Sequence, residues 1–396
     1  MNRRWVAALF CAAWGVAAAQ TASAEHRAQQ GLLDFTAAER ARIASHGPWP
    51  PRKQRDLSNR AEGRLSAVAW GRQLFVDRRL SGDGHVSCAS CHDPSKAFQD
   101  GRAVAQARAH GPAGQRNTPS LLNSQGARWL GWDGAHDSLW AASRAPLLAS
   151  DEMGHSVASL AQRVRAEDSL GRGYRSAFGQ PVPASDEQLL VDMAKALAAY
   201  QATLRTPRTP FDAFRDAMVR GDFRAAATFP LSAQRGLRLF IGHGRCSVCH
   251  AGPAFTNGEF ADIGIPFFVA GGVDPGRHAG LLKLQGSPWS RLGLYNDAAK
   301  ADPQAVTTRH VVIEPRHFGE FRVPGLRNLS QTAPYMHNGS LPTLEAVVQH
   351  YSQLDENRLH ADGERILRRL DLSPDEAADL AAFLRSLGRQ EPLADR

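Results

Sequence analysis

Four cysteines and two histidines carry the most specific chemistry in this chain. Cys88, Cys91 and His92 spell CASCH, and Cys246, Cys249 and His250 spell CSVCH. Both read C-x-x-C-H, the signature of covalent haem attachment. Two cysteines three apart share one side of a helical turn, so their sulfurs reach the two vinyl groups of one porphyrin. The adjacent imidazole then turns onto the iron as proximal ligand. Disulfides, expected of an exported chain, and a tetrahedral zinc site made from two C-x-x-C pairs are the competing readings. The histidine that follows each pair, twice, favours haem. Two motifs imply two covalent c-type haems.

The elements that must position these motifs repeat. Gly71-Arg72-Gln73-Leu74-Phe75 precedes the first motif and Gly236-Leu237-Arg238-Leu239-Phe240 the second, each near the end of a helical pattern. Far downstream of each lies a well-marked helix. In the first half Ser185 and Gln188 read as a capping box, and Leu190, Met193, Leu197, Tyr200 and Leu204 fall at helical spacing. In the second half Ser373, Pro374 and Glu376 start a helix with an apolar stripe of Leu380, Phe383, Leu384 and Leu387, and Gly388 stops it. Met193, on that first stripe, reads as core rather than iron ligand. The expected fold is mainly α: two cytochrome c-like helical domains, each with one covalently bound haem, plus long loops. Residues 59–215 form the first domain and 216–396 the second, with Pro207, Pro210 and Pro230 around the boundary. Residues 251–330, rich in glycine and proline, read as long ordered loops of the functional kind. Residues 25–58, an extension with Pro48, Pro50 and Pro51, carry no assignable chemistry.

Residues 1–24 read as a signal peptide. Arg3 and Arg4 precede an apolar run from Trp5 to Ala19, and Ala22-Ser23-Ala24 is a cleavage site. The run is shorter than the roughly 20 residues of a membrane span, so the mature chain is expected in the periplasm without a membrane span. Cys11 is lost with the signal, which leaves the four motif cysteines. The net charge of +8 comes from scattered arginines with no nucleic-acid motif, so no nucleic-acid partner is expected. No G-x-S-x-G and no phosphate-binding glycine loop is present.

Several further segments occur in one order: LFVDRRLSGDGHVSCASCHDP, RNTPSLLN, WDG, DEMG and FRVPGLRNLSQTAPYMHNGSLPTLEAVV. With the two haem motifs they resemble the bacterial di-haem cytochrome c peroxidase family, including its methylamine-utilisation (MauG) branch, over roughly residues 58–390. The resemblance implies a peroxide-reactive haem on His92 and an electron-relaying haem on His250, with Trp132 of WDG between them. Glu152 of DEMG matches the distal carboxylate, which moves a proton from one peroxide oxygen to the other. Pro146 matches a distal-pocket proline. Four residues before it the family commonly carries a glutamine, and this chain has Ala142.

The resemblance also proposes sixth ligands. At the second haem Met336, His350 and Tyr351 compete. Tyr351 stands 14 residues after His337 (351 − 337 = 14), where classical peroxidases carry methionine and the methylamine branch tyrosine. Tyr351 is therefore the implied ligand, a hard anionic donor that lowers the reduction potential. At the first haem His110 is the candidate, against its being a solvent-loop histidine. Asn117, with the carbonyls of Thr332 and Pro334, matches an inter-haem calcium site; oxygen-only ligands suit that ion. The leading functional expectation is reduction of hydrogen peroxide to water with electrons from a small redox protein of cytochrome c or cupredoxin type. The alternatives are peroxide-driven oxidation of side chains on a partner protein, and passive electron carriage.

Overall fold

The computed structural model describes residues 31–52, 54–106, 114–269, 272–299, 301–358 and 366–389. The expected signal peptide, residues 1–24, and His110 lie outside the described residues. The described chain is mainly helical. Its helices are α1 (Ala37–Ser45), α2 (Leu65–Val76), α3 (Cys88–Cys91), α4 (Leu139–Leu148), α5 (Val157–Ala166), α6 (Asp168–Phe178) and α7 (Asp186–Gln201). They continue with α8 (Pro210–Arg220), α9 (Phe223–Ala226), α10 (Leu231–Ile241), α11 (Arg277–Gln285), α12 (Ala305–Arg309), α13 (Leu344–Ser352) and α14 (Pro374–Arg385). The segment 251–330 holds two short antiparallel pairs. In one, β1 (Phe260–Ala261) meets β4 (Phe321–Arg322); in the other, β2 (Phe268–Val269) meets β3 (Gly272–Val273).

Apolar side chains collect into two main cores. The first is built by α2, α5, α6 and α7 around Trp70, Leu74, Phe75, Tyr174 and Leu197. The second is built by α8, α10, α13 and α14 around Phe211, Phe240, Phe255, Phe383 and Leu387. Phe35 and Ile43, from the proline-bearing segment near the N-terminus, are buried in this second core. Met193 is fully buried in the first, as its place on the apolar stripe requires.

The sequence repeat has a packing cause. A Cβ on Gly71 of α2 would lie 2.0 Å from the Ala196 carbonyl oxygen of α7, and one on Gly236 of α10 would lie 2.0 Å from the Asp379 carbonyl oxygen of α14. In each half the helix before the motif crosses the last helix so closely that only glycine fits. A second pair of equivalents lies in TPSLLN and VPGLRN. Asn123 and Asn328 both adopt positive φ (63° and 67°). Both donate from Nδ2 to the hydroxyl of one residue, Thr206, which joins the two halves. The expected helix starts form, while α14 ends at Arg385 with Ser386 as its C-cap, ahead of Gly388. Ser373 and Glu376 form a reciprocal capping box. Ser185 caps α7, but the Gln188 side chain turns instead to Asp192 Oδ1, at 3.0 Å, because that buried carboxylate needs donors.

Candidate functional site

The two C-x-x-C-H motifs open onto one continuous cavity of about 1680 Å³. Cys88 and Cys91 bracket α3, whose first turn is capped by Ser87; Cys246 and Cys249 sit on a tighter turn. All four are free thiols, half-buried. Burial pushes Cys88 and Cys246 up to about 12 and Cys91 to about 11, so the free thiols are neutral. Among the described residues no group of three or more His, Cys, Asp or Glu side chains could hold a metal ion, which removes the zinc reading.

The two motif histidines are held alike. His92 Nδ1 is 3.0 Å from the Phe98 carbonyl oxygen, and His250 Nδ1 is 3.0 Å from that of Phe255. With Nδ1 donating to a carbonyl, Nε2 is left as the basic atom, the arrangement an iron-ligating imidazole requires. Both carbonyls belong to phenylalanines with positive φ (61° and 56°). A bulky residue there costs about 1–3 kcal/mol, and here the strain aims a carbonyl at the imidazole. Paired free thiols, oriented imidazoles and a cavity reaching both motifs fit covalent haem.

Glu152 lies in the turn after α4. Its N–H donates to Ala149 O, and the next residue, Met153, donates to Pro146 O and is buried. Met153 thus anchors the turn and Glu152 faces the cavity. The residue is exposed where it borders the cavity. Desolvation, helped by the neighbouring charge of Asp151, raises its carboxyl to about 7. Ala142 and Pro146, one turn apart on α4, line the same cavity. Asp151 also lines it.

Trp132 ties two stretches of chain together. Its indole N–H donates to Asn117 O at 2.8 Å, and its own carbonyl accepts from the Arg322 N–H at 2.8 Å. Asn117 in turn donates from its backbone to His337 O and from Nδ2 to Arg102 O, both at 2.7 Å. Its Oδ1 accepts no hydrogen bond among the described residues. Thr332 and Pro334 line the same cavity.

Tyr351 sits on the cavity face of α13 with Leu344, Val347 and Val348. Burial pushes its phenol far above the ordinary value, reinforced by the nearby thiols of Cys246 and Cys249. His350, a rival ligand, is engaged through Nε2 with Ile263 O at 2.8 Å. Met336 lines the cavity with positive φ (75°).

Known proteins share this architecture. A sequence model described as "Di-haem cytochrome c peroxidase" matches residues 66–220, and one described as "RoxA-like, cytochrome c-like" matches residues 323–355. The methylamine utilization protein MauG of Methylorubrum extorquens is 35% identical over 329 residues, 83% of this chain and 79% of that protein. The chain belongs to the di-haem cytochrome c peroxidase family. A member named cytochrome-c peroxidase IdrP1, from Denitromonas iodatirespirans, is 33% identical over 366 residues, 90% of each chain. The solved structure of a MauG-like protein associated with microbial copper homeostasis superposes with a TM-score of 0.66 at 27% identity, over 87% of this chain and 94% of that one. As a member of this family the chain is a haem-dependent oxidoreductase.

Every described site residue expected of a di-haem peroxidase therefore borders one cavity. Two cavity residues escaped the sequence reading. His136, four residues after Trp132, is lowered to about 4 by burial and so is a neutral imidazole at working pH. Arg322 lines the cavity with no ion pair among the described residues, and burial lowers it to about 10. An unpaired guanidinium on that wall suits a haem propionate. The signal for His136 was its place in the WDG loop; Arg322 carried none beyond its motif.

Proposed function

We propose that the chain binds two c-type haems, one on each C-x-x-C-H motif, and reduces hydrogen peroxide to water at the first. The observation that carries this reading is Glu152, a carboxyl near 7 on the wall of the cavity that holds Cys88, Cys91 and His92. Haem iron supplies the electrons and the coordination position at which peroxide reacts. Glu152 supplies the proton traffic. One peroxide takes up two electrons and two protons and leaves as two waters. Its O–O bond breaks unevenly only if a proton leaves one oxygen and another reaches the second, and one carboxyl half-ionised near neutrality does both. Pro146 lacks an N–H and keeps that stretch of wall apolar, while Ala142 offers no hydrogen bond. Trp132, held by Asn117 and Arg322, relays electrons between the sites. Tyr351 is the distal ligand of the second haem: its buried phenol ionises only against a cation, which ferric iron provides. Asn117 Oδ1 with the Thr332 and Pro334 carbonyls is a calcium site; with Nδ2 committed to Arg102, Oδ1 is the atom available. His110 is the candidate distal ligand of the first haem at rest.

The electron donor is a small redox protein of cytochrome c or cupredoxin type, and the enzyme works in the periplasm after cleavage near Ala24. Tyr351 favours a second reading, oxidation of a partner protein's side chains, because an anionic donor makes the second haem a poor store of ferrous electrons.

One equivalent of hydrogen peroxide added to the oxidised protein tests the proposal. A fast loss of the ferric bands is the expected result, and a persistent new near-infrared band favours the second reading. An unchanged spectrum in the fully oxidised and the half-reduced protein alike refutes both.

A further inference from the structure

Six tryptophans lie among the described residues: Trp49, Trp70, Trp129, Trp132, Trp140 and Trp289. An oxidant formed in the cavity draws an electron from any indole it can reach, so a protein that retains oxidising equivalents must make most of its indoles hard to oxidise. Trp49, Trp129 and Trp132 line the cavity. The guanidinium carbon of Arg327 is 3.6 Å from the ring centroid of Trp49, and that of Arg277 is 4.4 Å from Trp129. Further out, Arg144 stands 3.6 Å over Trp289 and Lys195 Nζ 5.3 Å over Trp140. Among the described residues no cation stands over Trp132. Trp70 has none either, but it does not line the cavity and packs edge-on against Tyr174 and Phe178.

Two of these cations have carboxylates only at longer range, Asp133, Glu259 and Glu320 for Arg277 (which also stands 3.9 Å over Phe260) and Glu187 for Arg144. Arg327 pairs with Asp212 and Lys195 with Asp297. Arg277 and Arg144 enter no ion pair among the described residues. Arg277 is 4% exposed and donates to the backbone carbonyls of Asp133 and Gly134. Arg144 Nε is buried with no hydrogen-bond partner. Neither residue lines the cavity, so a haem carboxylate does not answer their charge. Burying the Arg277 guanidinium without an ion pair costs stability, and at the half-buried Arg144 the unsatisfied Nε does the same. What the charge adds is its field on the ring. An indole that loses an electron becomes a cation, and a guanidinium stacked on it opposes that change.

On the relay reading of Trp132 given above, we propose that Arg277 and Arg144 raise the oxidation potentials of Trp129 and Trp289 and so confine to Trp132 the oxidising equivalents left when peroxide is reduced. Without a donor, the two electrons that convert one peroxide and two protons to two waters come from the haems and from aromatic side chains. An indole that gives one electron keeps its N–H and becomes a cation radical. At Trp132 the Asn117 carbonyl accepts from that N–H and stabilises the charge. At Trp129 and Trp289 the guanidinium repels it.

The test is peptide mass spectrometry of each tryptophan after the oxidised holoprotein has consumed peroxide without donor. Arg144→Met is expected to raise oxygen incorporation at Trp289 roughly tenfold, the factor for losing a cation–π contact of about 1.4 kcal/mol. Arg144→Lys, which keeps the charge, is expected to hold it near the wild-type level. Equal incorporation in wild type and Arg144→Met overturns the proposal, as does equal incorporation in the Met and Lys variants. So does labelling that persists in an Arg144→Met, Glu152→Gln double variant, since it marks direct attack by peroxide. Trp132→Phe distinguishes the relay from the guard. A labelling pattern unchanged by Trp132→Phe sinks the relay, whereas a changed pattern with a silent Arg144→Met sinks the guard alone.

Discussion

Glu152 makes the pH dependence of peroxide cleavage calculable. Burial in the cavity, with the charge of Asp151 beside it, lifts its carboxyl from an ordinary 4.5 to about 7. The shift is upward, so the basic form is lost as pH falls through 7. At pH 7 about half of the protein carries the carboxylate, at pH 6 about one tenth and at pH 5 about one hundredth, so the rate should drop roughly fifty-fold between pH 7 and pH 5. A carboxyl at its ordinary value would leave the rate almost flat over the same interval. Asp151→Asn removes the neighbouring charge and should move the midpoint downward. Glu152→Gln cannot take the proton at any pH, and should lose about 10²–10⁴-fold in rate along with the pH dependence. The assay is stopped-flow absorbance of the oxidised protein mixed with hydrogen peroxide from pH 5 to pH 8. A wild-type rate that changes less than about twofold across that range, or a Gln variant within about threefold of wild type, would refute the assignment.

Other elements are tested as directly. Gly236→Ala places a Cβ 2.0 Å from Asp379 O, a rigid backbone atom, so α10 and α14 must move apart; overpacking of about 1–3 kcal/mol should lower Tm by roughly 2–10 °C in calorimetry, and an unchanged Tm contradicts the close crossing. Trp132→Phe keeps most of the ring but loses the N–H given to Asn117; rapid-mixing spectra should show the first haem reacting while the second responds more slowly, and synchronous responses dismiss the relay. Tyr351→Met exchanges an anionic for a neutral soft donor, which should raise the second haem's reduction potential in a potentiometric titration; an unmoved potential means that Tyr351 is not a ligand.

The sequence was most informative where chemistry is local. Each C-x-x-C-H run places both sulfurs and the imidazole within one turn, so spacing alone singled out the candidate attachment residues. Helix signals were similarly local: Ser373 and Glu376 form the capping box that their spacing announces, and the buried stripe of Met193 and Leu197 follows from period. The G-x-x-L-F repeat was visible, but its reason was not, since it depends on a carbonyl oxygen about 125 residues away from Gly71 and over 140 from Gly236. The segment 251–330 read as loop because its strands are two residues long and its helices short, below the length at which periodicity speaks.

What only the tertiary structure decided is the environment of each group. A carboxylate in DEMG is an ordinary acid until α4 and the turn at Met153 set it in a cavity, and burial then doubles as pKa control. Trp132 differs from Trp129 in burial, in the partner of its indole N–H and in the side chains packed on it. Arg277, 144 residues after Asp133, brings a cation to one indole and leaves the other its hydrogen bond to Asn117. Residue type and spacing are properties of a few consecutive positions. Desolvation, field and ring contacts are sums over neighbours that the chain brings together only by folding, and these control which groups take protons and which give up electrons.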